Sequence, residues 1–278
     1  MKILKKFPSH SSVVELVEIQ GKKFVLKTVS GEEACNEKRF LTIMRENNLP
    51  TIEVIDYPNL STGQILLEYV SESKKAISES IEDAERWGSA IQKMHEIHFK
   101  DAFTITAENT KKNWDWNDFL KHRLEIAIQR QISEKSDLSN EFLNDIRAWV
   151  TPKLNIKRSE FSLLHGDLHD GNTLDKNGEV VLFDKSSEIF SGDPLYDLVI
   201  FLTHYPNGIY VETDFTDYKN DALLLKHFMK GYKNNFIENN KDILDVYMVI
   251  RALDRYPNHF EIFNKQIIES IIYKPSNY

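Results

Sequence analysis

Polar side chains are concentrated in residues 162–187, SLLHGDLHDGNTLDKNGEVVLFDKSS. His165, Asp167 and His169 alternate there, and Asn172 follows five residues after Asp167. On one face of a strand, two histidines and an aspartate would suit zinc, as in a metal hydrolase. In a bent loop, the same aspartate could accept a hydroxyl proton during phosphoryl transfer. The stretch therefore admits two chemistries that need different surroundings.

A metal ion in the phosphoryl-transfer interpretation would be bound by oxygen atoms. Residues 173–184 predict a hairpin, which puts Asn172 at the start of one strand and Asp184 at the end of its partner. Amide and carboxylate oxygens suit Mg²⁺, which takes one or two protein ligands and fills its shell with water and phosphate. The spacing from Asp167 to Asn172 is also that of the catalytic loop of kinases.

A zinc hydrolase would need further histidine or cysteine ligands. The next candidate, His204, lies inside an apolar helical pattern, and the sequence has no second histidine cluster. Gly166 and the Asp170-Gly171 pair favour a bent loop over a straight strand. The hydrolase stays as an alternative, beside the plain interpretation of a polar turn with buried histidines.

Composition limits the kind of protein that carries this stretch. The 278 residues include 41% hydrophobic residues, enough for a sizeable core, and the net charge of −8 disfavours nucleic acid as a partner. Cys35 is the single cysteine, so no internal disulfide can form. The basic start reaches Pro8 before any apolar run, and no run approaches a membrane span of about 18 residues. We expect a cytoplasmic protein without a membrane partner, and a monomer for want of a coiled-coil pattern.

The first 70 residues predict a small α+β lobe. Residues 13–29 form two extended runs around a turn at Gln20-Gly21-Lys22, and residues 32–47 have helical spacing of apolar residues. Two further strand patterns follow at 51–57 and 64–70. We expect a sheet with one helix and a hinge near residues 68–73.

Helical patterns dominate after residue 70. They cover residues 81–98, 116–132, 139–150, 193–205, 220–236 and 242–256. The sequence therefore predicts an α+β, two-lobed chain, with a β-rich N-lobe of residues 1–70 and a mainly helical C-lobe of residues 71–278 that contains the polar stretch.

Three motifs in order carry a resemblance to a known superfamily. HGDLHDGN at 165–172, VVLFD at 180–184 and GDPLYDL at 192–198 closely resemble the aminoglycoside phosphotransferase and choline kinase superfamily. Its members are small-molecule kinases with a bilobal, protein-kinase-like fold. The resemblance implies that Asp167 is the catalytic base or orients the acceptor hydroxyl, and that Asn172 and Asp184 bind Mg²⁺. It assigns His165, His169, Asp193 and Asp197 to support of the loop, with His169 as an alternative contact to the transferred phosphate.

The resemblance also implies a nucleotide-binding lysine on the third strand. Lys27 fits, because strand alternation puts it on the face of Val25, opposite Leu26. Its expected partner is Glu37, about one helical turn before the apolar face of the following helix, with Glu33 as the alternative. The lysine would bind the α- and β-phosphates of the nucleotide.

Two further nucleotide contacts are expected in the N-lobe. The backbone of Glu68-Tyr69-Val70 would bind the adenine edge at the hinge. No glycine-rich phosphate loop is present, so we expect FPSHSS at residues 7–12, with Ser11 and Ser12, to cover the phosphates. Asp170 stands where the superfamily usually has proline, and Lys185 follows the metal aspartate where an aromatic residue is common.

The implied reaction transfers the γ-phosphoryl group of ATP or GTP to a hydroxyl of a small molecule. A cationic acceptor, such as an aminoglycoside or another amino or sugar alcohol, could be attracted by Glu212, Asp214, Asp217 and Asp221. Trp114 and Trp116 could form an aromatic wall for choline, or open a helix and pack on the core. The alternative is a catalytically weak nucleotide-binding protein with a regulatory role, because Lys185 and the glycine-free loop depart from the motif.

Overall fold

Four antiparallel strands form an N-terminal sheet in the computed structural model, which describes residues 1–8, 12–58, 60–71, 81–204, 221–233, 239–256 and 261–273. The strands are adjacent in chain order: β1 (Lys2–Phe7), β2 (Val13–Ile19), β3 (Lys22–Thr28) and β4 (Gln64–Glu68). Gln20 and Gly21 have φ values of 51° and 77°, which a two-residue hairpin turn between β2 and β3 requires. The predicted turn is therefore confirmed.

Strand β3 separates two apolar layers. Leu26 packs with Val17 and Leu66 in a small cluster on one face of the sheet, whereas Val25 packs against the main core on the other face. Alternation directs Lys27 to the side of Val25. The lysine thus lies between the sheet and the rest of the molecule.

Helix α1 (Gly31–Glu46) lies on this inner face. Its first turn is fixed by a capping box, in which the Ser30 hydroxyl accepts from Glu33 N and the Glu33 carboxylate accepts from Ser30 N. Phe40 and Leu41 are buried, as the apolar spacing predicts. The box fixes where the helix begins and hence which side chains point inward.

Two N-terminal features differ from the expectation. Residues 51–57 do not form a full strand: Val54 makes a single bridge to Leu67, with hydrogen bonds from Ile55 N to Leu66 O and from Glu68 N to Glu53 O. Pro50 and Pro58 have no N–H group, so the pairing cannot extend past either end of the segment. Strand β1 was not expected, since KILKKF lacks a clear alternation and lies at the exposed edge of the sheet.

Helices dominate the chain after residue 80. They are α2 (Ile81–His95), α3 (Trp116–Ser133), α4 (Asn140–Val150), α5 (Pro194–His204), α6 (Asp221–Tyr232), α7 (Lys241–Arg255) and α8 (Glu261–Ile272). Helix α7 is central and packs against α3, α5 and α8. The backbones of helices α2 and α6 are in direct contact at two glycines. A Cβ atom at Gly231 would lie 1.8 Å from Glu85 O, and one at Gly88 would lie 2.1 Å from Phe228 O, so neither position has room for a side chain.

Short strands complete the helical region. Strands β9 (Thr173–Lys176) and β10 (Glu179–Leu182) form the predicted hairpin around Asn177-Gly178. A second sheet has the order β5–β8–β11–β6–β7, formed by His98–Phe99 (β5), Ala102–Ile105 (β6), Lys111–Trp114 (β7), Phe161–Leu163 (β8) and Ser191–Gly192 (β11). This second sheet was not expected, because its strands of two to four residues carry almost no periodic signal.

A β-rich N-terminal part and a mainly helical remainder confirm the predicted fold class. The lobe boundary at residue 70 stays a prediction, since residues 72–80 lie outside the described ranges. None of the helices in those ranges has both the length and the apolar character that a bilayer crossing requires.

Candidate active site

A cavity of about 250 Å³ brings together residues from both ends of the sequence. It is lined by Ser12, Lys27, Val29, Glu33, Gly166, Asp167, Asp184, Lys185, Ser186, Ser187, Glu188 and Arg251. Four predicted site residues, Ser12, Lys27, Asp167 and Asp184, therefore line the same cavity, although Lys27 and Asp167 are 140 residues apart in the sequence.

Lys27 is held between two carboxylates. Its Nζ donates to Glu37 Oε2 at 2.6 Å and also to Asp184 Oδ1. Burial opposes the charge of Lys27, but the two carboxylates together raise its pKa. The predicted pair of Lys27 with Glu37 is thus present, whereas Glu33 caps α1.

The loop before Asp167 is fixed by the buried carboxylate of Asp197, at the start of α5. Asp197 Oδ2 accepts from His165 N at 2.6 Å, and Oδ1 accepts from Gly166 N at 2.7 Å. His95 Nε2, on α2, lies 3.3 Å from Asp197 Oδ2. Burial alone would raise the pKa of Asp197, but its hydrogen bond with His95 and the charges around it lower the pKa. Asp197 therefore stays ionised and holds the loop, as predicted.

His165 links this loop to the strand that carries Asp184. Its ring is fully buried, and Nε2 donates to Phe183 O at 2.8 Å. Burial lowers the pKa of His165, so that the ring is neutral at neutral pH. His165 is not among the cavity-lining residues. These contacts are those of a residue that positions the loop.

Asp167 accepts hydrogen bonds at both carboxylate oxygens. Asn172 Nδ2 donates to Oδ2 at 3.0 Å, His169 Nε2 lies 3.4 Å from the same oxygen, and Arg255 Nη2 donates to Oδ1 at 2.8 Å. The backbone N–H of Gly171 donates to His169 Nδ1, so Nε2 carries the proton of a neutral ring. Burial alone would raise the pKa of Asp167, but His169 and Arg255 hold it below its usual range. Asp167 is therefore a permanent hydrogen-bond acceptor and only a weak base.

Arg255 is a site residue that the sequence reasoning missed. It lies at the end of α7, 88 residues after Asp167, and no motif spacing relates the two positions. The available signal was local: Arg251 and Arg255 are one helical turn apart, directly after the apolar run at residues 246–250. Charged residues at core-facing helical positions call for a partner.

The donor set formed by Asn172 and Asp184 fits Mg²⁺. Because both amide hydrogens of Asn172 point to Asp167 O and Oδ2, its Oδ1 is the atom left for a cation. The Phe183 N–H donates to Asn172 O at 3.1 Å, which places the two candidate ligands on adjacent chain segments. The Asp184 side chain is 48% exposed and lines the cavity.

Zinc does not fit the same residues. Within the described ranges, no group of three or more histidine, cysteine, aspartate or glutamate side chains is arranged to bind a metal ion. His165 instead bonds to Phe183 O, and His169 packs beside Asp167. The hydrolase interpretation of the polar stretch therefore finds no site in this part of the chain.

Of the other residues predicted to contact the nucleotide, only Ser12 lines the cavity in the described part of the chain. Ser11 lies outside the described residues. Glu68 and Val70 are described but are not among the cavity-lining residues. The Glu68 N–H bonds to Glu53 O at 2.9 Å, and its carboxylate accepts from Lys176 Nζ at 2.7 Å. Recognition of adenine at this hinge stays a prediction.

Asp193 supports the fold beside the site. Its carboxylate accepts from Arg158 Nε at 2.5 Å and from the Tyr247 hydroxyl at 2.7 Å, and it caps α5 by accepting from Leu195 N. Asp193 is 1% exposed and does not line the cavity. These contacts are those of a residue that supports the fold, which is the role that the resemblance implies for it.

The tryptophans do not line the cavity. Trp116 is 3% exposed, opens α3 and donates to the Tyr247 hydroxyl at 2.7 Å, so it packs in the core as the second interpretation predicted. Trp114 stacks on His122 with ring centroids 5.4 Å apart. Neither tryptophan therefore forms part of this cavity, and an aromatic wall for choline would have to lie elsewhere. The acidic residues Glu212, Asp214 and Asp217, and the side chain of Asp221, lie outside the described part of the chain.

Lys185 is buried directly after Asp184. Its Nζ donates to Ser186 O and to Ile189 O, each at 2.6 Å, and lies 5.0 Å from the centre of the Phe190 ring. Burial lowers the pKa of Lys185 to about 7. The ammonium therefore braces its own loop rather than extending toward Asp184.

The lowered pKa of Lys185 predicts a pH-dependent stability. Between pH values of about 7 and 10, Lys185 is protonated in the unfolded chain and mostly neutral in the folded chain. This difference makes the free energy of unfolding rise with pH, by up to about 1.4 kcal/mol per pH unit. We expect Lys185→Met to lack this rise. Urea unfolding of both proteins at several pH values measures it, and parallel stability curves would contradict the shift.

Comparison with solved structures shows the same fold. A thermostable mutant of aminoglycoside phosphotransferase APH(4)-Ia, in complex with AMP-PNP and hygromycin B, has a TM-score of 0.70 at 12% identity over 99% of this chain and 94% of that one. Choline kinase LicA from Streptococcus pneumoniae has a TM-score of 0.61 at 13% identity, over 98% and 95% of the two chains. Spectinomycin phosphotransferase APH(9)-Ia, in complex with ADP and spectinomycin, has a TM-score of 0.61 at 13% identity, over 98% and 92%.

Sequence comparison assigns the family. No curated protein matches the chain. The model of the phosphotransferase enzyme family matches residues 4–227, which include Lys27, Asp167, Asn172 and Asp184. The predicted superfamily is thereby confirmed. The chain belongs to the phosphotransferase enzyme family and is a small-molecule kinase.

Proposed function

We propose that this kinase transfers the γ-phosphoryl group of ATP to a hydroxyl of a small molecule, with Mg²⁺ as its metal ion. The observation that carries the proposal is the single cavity shared by Lys27, Asp167 and Asp184. Similarity to structures solved with AMP-PNP and ADP supports an adenine nucleotide, and nothing comparable supports GTP.

Each residue has a role that its contacts support. Lys27 would exchange its bond to Asp184 for the phosphates, while Glu37 keeps it in position. Asn172 and Asp184 would hold Mg²⁺, which when bound offsets the charge of the phosphates. Asp167 would orient the acceptor hydroxyl by accepting its hydrogen bond.

The transfer exchanges one P–O bond for another. The bond from the γ-phosphorus to the oxygen bridging to the β-phosphate breaks, and a bond from the γ-phosphorus to the acceptor oxygen forms. The hydroxyl proton passes to Asp167 and from there to solvent, and ADP leaves with the bridging oxygen.

The alternative, a catalytically weak nucleotide-binding protein, rested partly on Lys185. That reason is weakened, because the Lys185 ammonium is bonded to carbonyl groups of its own loop. The absence of glycine from residues 7–12 remains an argument for this alternative. Acceptor-dependent consumption of ATP distinguishes the two functions. The cytoplasmic location and the monomeric state stay predictions.

Lys27→Met is expected to weaken binding of AMP-PNP with Mg²⁺ by about 10- to 100-fold, the value of one charge-assisted hydrogen bond. Titration calorimetry measures the affinity. Because the single change leaves Glu37 buried without its partner, the double variant Lys27→Met/Glu37→Gln tests for misfolding.

Lys230→Met is the matched control, since Lys230 pairs with Glu85 on the surface, away from the cavity. It should bind nucleotide as the wild type does. Equal affinity for nucleotide in the Lys27 variants and the wild type would refute the proposed phosphate site.

A further inference from the structure

Two arginines of α7 lie at the cavity: Arg251 forms part of its wall, and Arg255 contacts the lining residue Asp167 from behind that wall. Arg251 is 4% exposed and lines the cavity. Arg255, one helical turn later, bonds to Asp167 Oδ1 at 2.8 Å. Neither residue is needed for the nucleotide and metal contacts proposed above. Their position is next to the group that would orient the acceptor.

The hydrogen bonds of Asp167 determine where an acceptor hydroxyl can bind. A carboxylate has about four acceptor positions, two on each oxygen. Asn172 and His169 take both positions of Oδ2, and Arg255 takes one position of Oδ1. The remaining position is on Oδ1, so the hydroxyl must bind to the same oxygen as the Arg255 guanidinium.

The neighbouring carboxylates of this region are already bound to arginines. Glu188 accepts from Arg251 at 2.6 Å and pairs with Arg123 Nε at 3.2 Å. Asp254 accepts from Arg123 Nη2 at 2.8 Å. An ammonium group beside the hydroxyl would therefore meet the guanidinium of Arg255, whereas Glu188 and Asp254 already have cationic partners.

The two guanidinium groups also repel each other. Burial and, after it, the nearby charge of Arg251 lower the pKa of Arg255. Arg255 stays protonated at neutral pH, since guanidinium groups do not lose their proton in proteins. Asp167, Asp254 and Glu188 act in the opposite direction. Guanidinium groups attract carboxylate and phosphate oxygens and can bind them in a bidentate manner, so an acidic group beside Arg255 would be favoured over a cationic one.

We propose that the acceptor carries an acidic group, a carboxylate or a phosphate, close to its reactive hydroxyl, and that Arg255 selects it. The inference rests on the proposed function and names its substrate class. It replaces the earlier expectation of a cationic acceptor. Arg255 would keep its bond from Nη2 to Asp167 Oδ1 and direct another of its N–H groups to the acid, while the hydroxyl binds at the remaining position of Oδ1.

A matched panel of acceptors tests the charge preference. Glycerate, glycerol phosphate, glycerol and 3-amino-1,2-propanediol share a three-carbon frame with free hydroxyls and differ in the end group. The test measures ADP formation by the whole chain with ATP and Mg²⁺. We expect kcat/KM for one of the acidic members to exceed that of the neutral and cationic members by at least tenfold, and the better acid distinguishes carboxylate from phosphate.

Arg255→Gln separates a selective arginine from a structural one. The variant should lose the preference for the acid about 10- to 100-fold, through KM, while AMP-PNP binding is retained. Arg255→Lys should restore part of the preference. Arg147→Gln, which removes an arginine paired with Glu125 on the surface, should leave the preference unchanged.

Each possible result either supports or overturns the proposal of an acidic acceptor. Equal or better turnover of the amine or of glycerol, or an acid preference that survives Arg255→Gln, would overturn the inference. If no member is phosphorylated, calorimetry measures the binding of the two acids to the AMP-PNP-loaded protein. Binding that is lost in Arg255→Gln supports the inference. Equal affinity for the acids in Arg255→Gln and the wild type, or no binding to either, overturns it. Failure of the proposed function is a separate observation, namely that ATP with Mg²⁺ does not bind.

Discussion

Asp167→Asn is expected to lower kcat by about 10²- to 10⁴-fold, the usual contribution of a positioned acid or base. The asparagine side chain has one acceptor oxygen and one donor group, so it cannot accept from Asn172, Arg255 and an acceptor hydroxyl together. Nucleotide affinity should be nearly unchanged, because Lys27 and Asp184 are intact. Acceptor-dependent ADP formation and AMP-PNP titration measure the two effects.

Asp175→Asn is the control for this substitution. Asp175 lies in the β9–β10 hairpin and pairs with Arg86, outside the cavity-lining set. Its variant should keep full turnover. A variant Asp167→Asn with a kcat within threefold of the wild type would show that the carboxylate is not required.

The pKa of Asp167 adds a test of pH dependence. Since His169 and Arg255 hold this pKa below its usual range, Asp167 stays ionised throughout the mildly acidic range. We therefore expect no loss of kcat from protonation of Asp167 above a pH of about 4. The contrary result is a decrease in kcat of the wild type on acidification that begins above this pH and is absent in Asp167→Asn. It would show that Asp167 is protonated in that range.

Asp197→Asn is expected to destabilise the fold by about 3–5 kcal/mol, the cost of breaking a buried ionic network. The carboxylate accepts two backbone hydrogen bonds from the loop, from His165 and Gly166, and a third from His95. The amide group of asparagine would place a donor against one of these donors. Urea unfolding measures the change, and ADP formation should fall with it because the loop loses its anchor.

The effect of Asp197→Asn should depend on pH. The folded-state pKa of Asp197 is lowered, so its stabilisation is present above the unfolded-state value of about 4 and is lost as pH falls through the folded-state value. The stability difference from the wild type should therefore shrink on acidification. Asp145→Asn, on the exposed side of α4, should change stability by less than about 0.5 kcal/mol. A comparable loss in both variants would show that burial of Asp197 is not the cause.

Short-range patterns predicted the residues that regular structure positions. Alternation along β3 placed Lys27 on the inner face, and the helical phase of α1 placed Glu37 opposite it. The hairpin pattern of residues 173–184, with its turn at Asn177-Gly178, placed Asn172 and Asp184 at the two ends of one hairpin. These predictions succeeded because period and turn chemistry are local properties of the chain.

Contacts between distant elements were not predictable in the same way. The bond from Arg255 to Asp167 joins α7 to the loop, and the bond from His95 to Asp197 joins α2 to α5. Neither has a spacing rule, because its geometry depends on how helices pack. Trp116 illustrates the same limit. Its residue type was compatible with either a ligand-binding wall or the core, and only the packing of the helices, which buries it against Tyr247, decides between them.

The backbone contact of α2 with α6 ties the loop geometry to glycines far from the cavity. Tyr232, next to Gly231, bonds through its hydroxyl to His95 Nδ1, and the other ring nitrogen of His95 reaches Asp197. A larger residue at Gly231 would push the helices apart and pull on this chain of bonds. Mutations at the helix crossing and at Asp197 should therefore show strong epistasis, so that the effect of one on turnover depends on the other, although neither position lines the cavity.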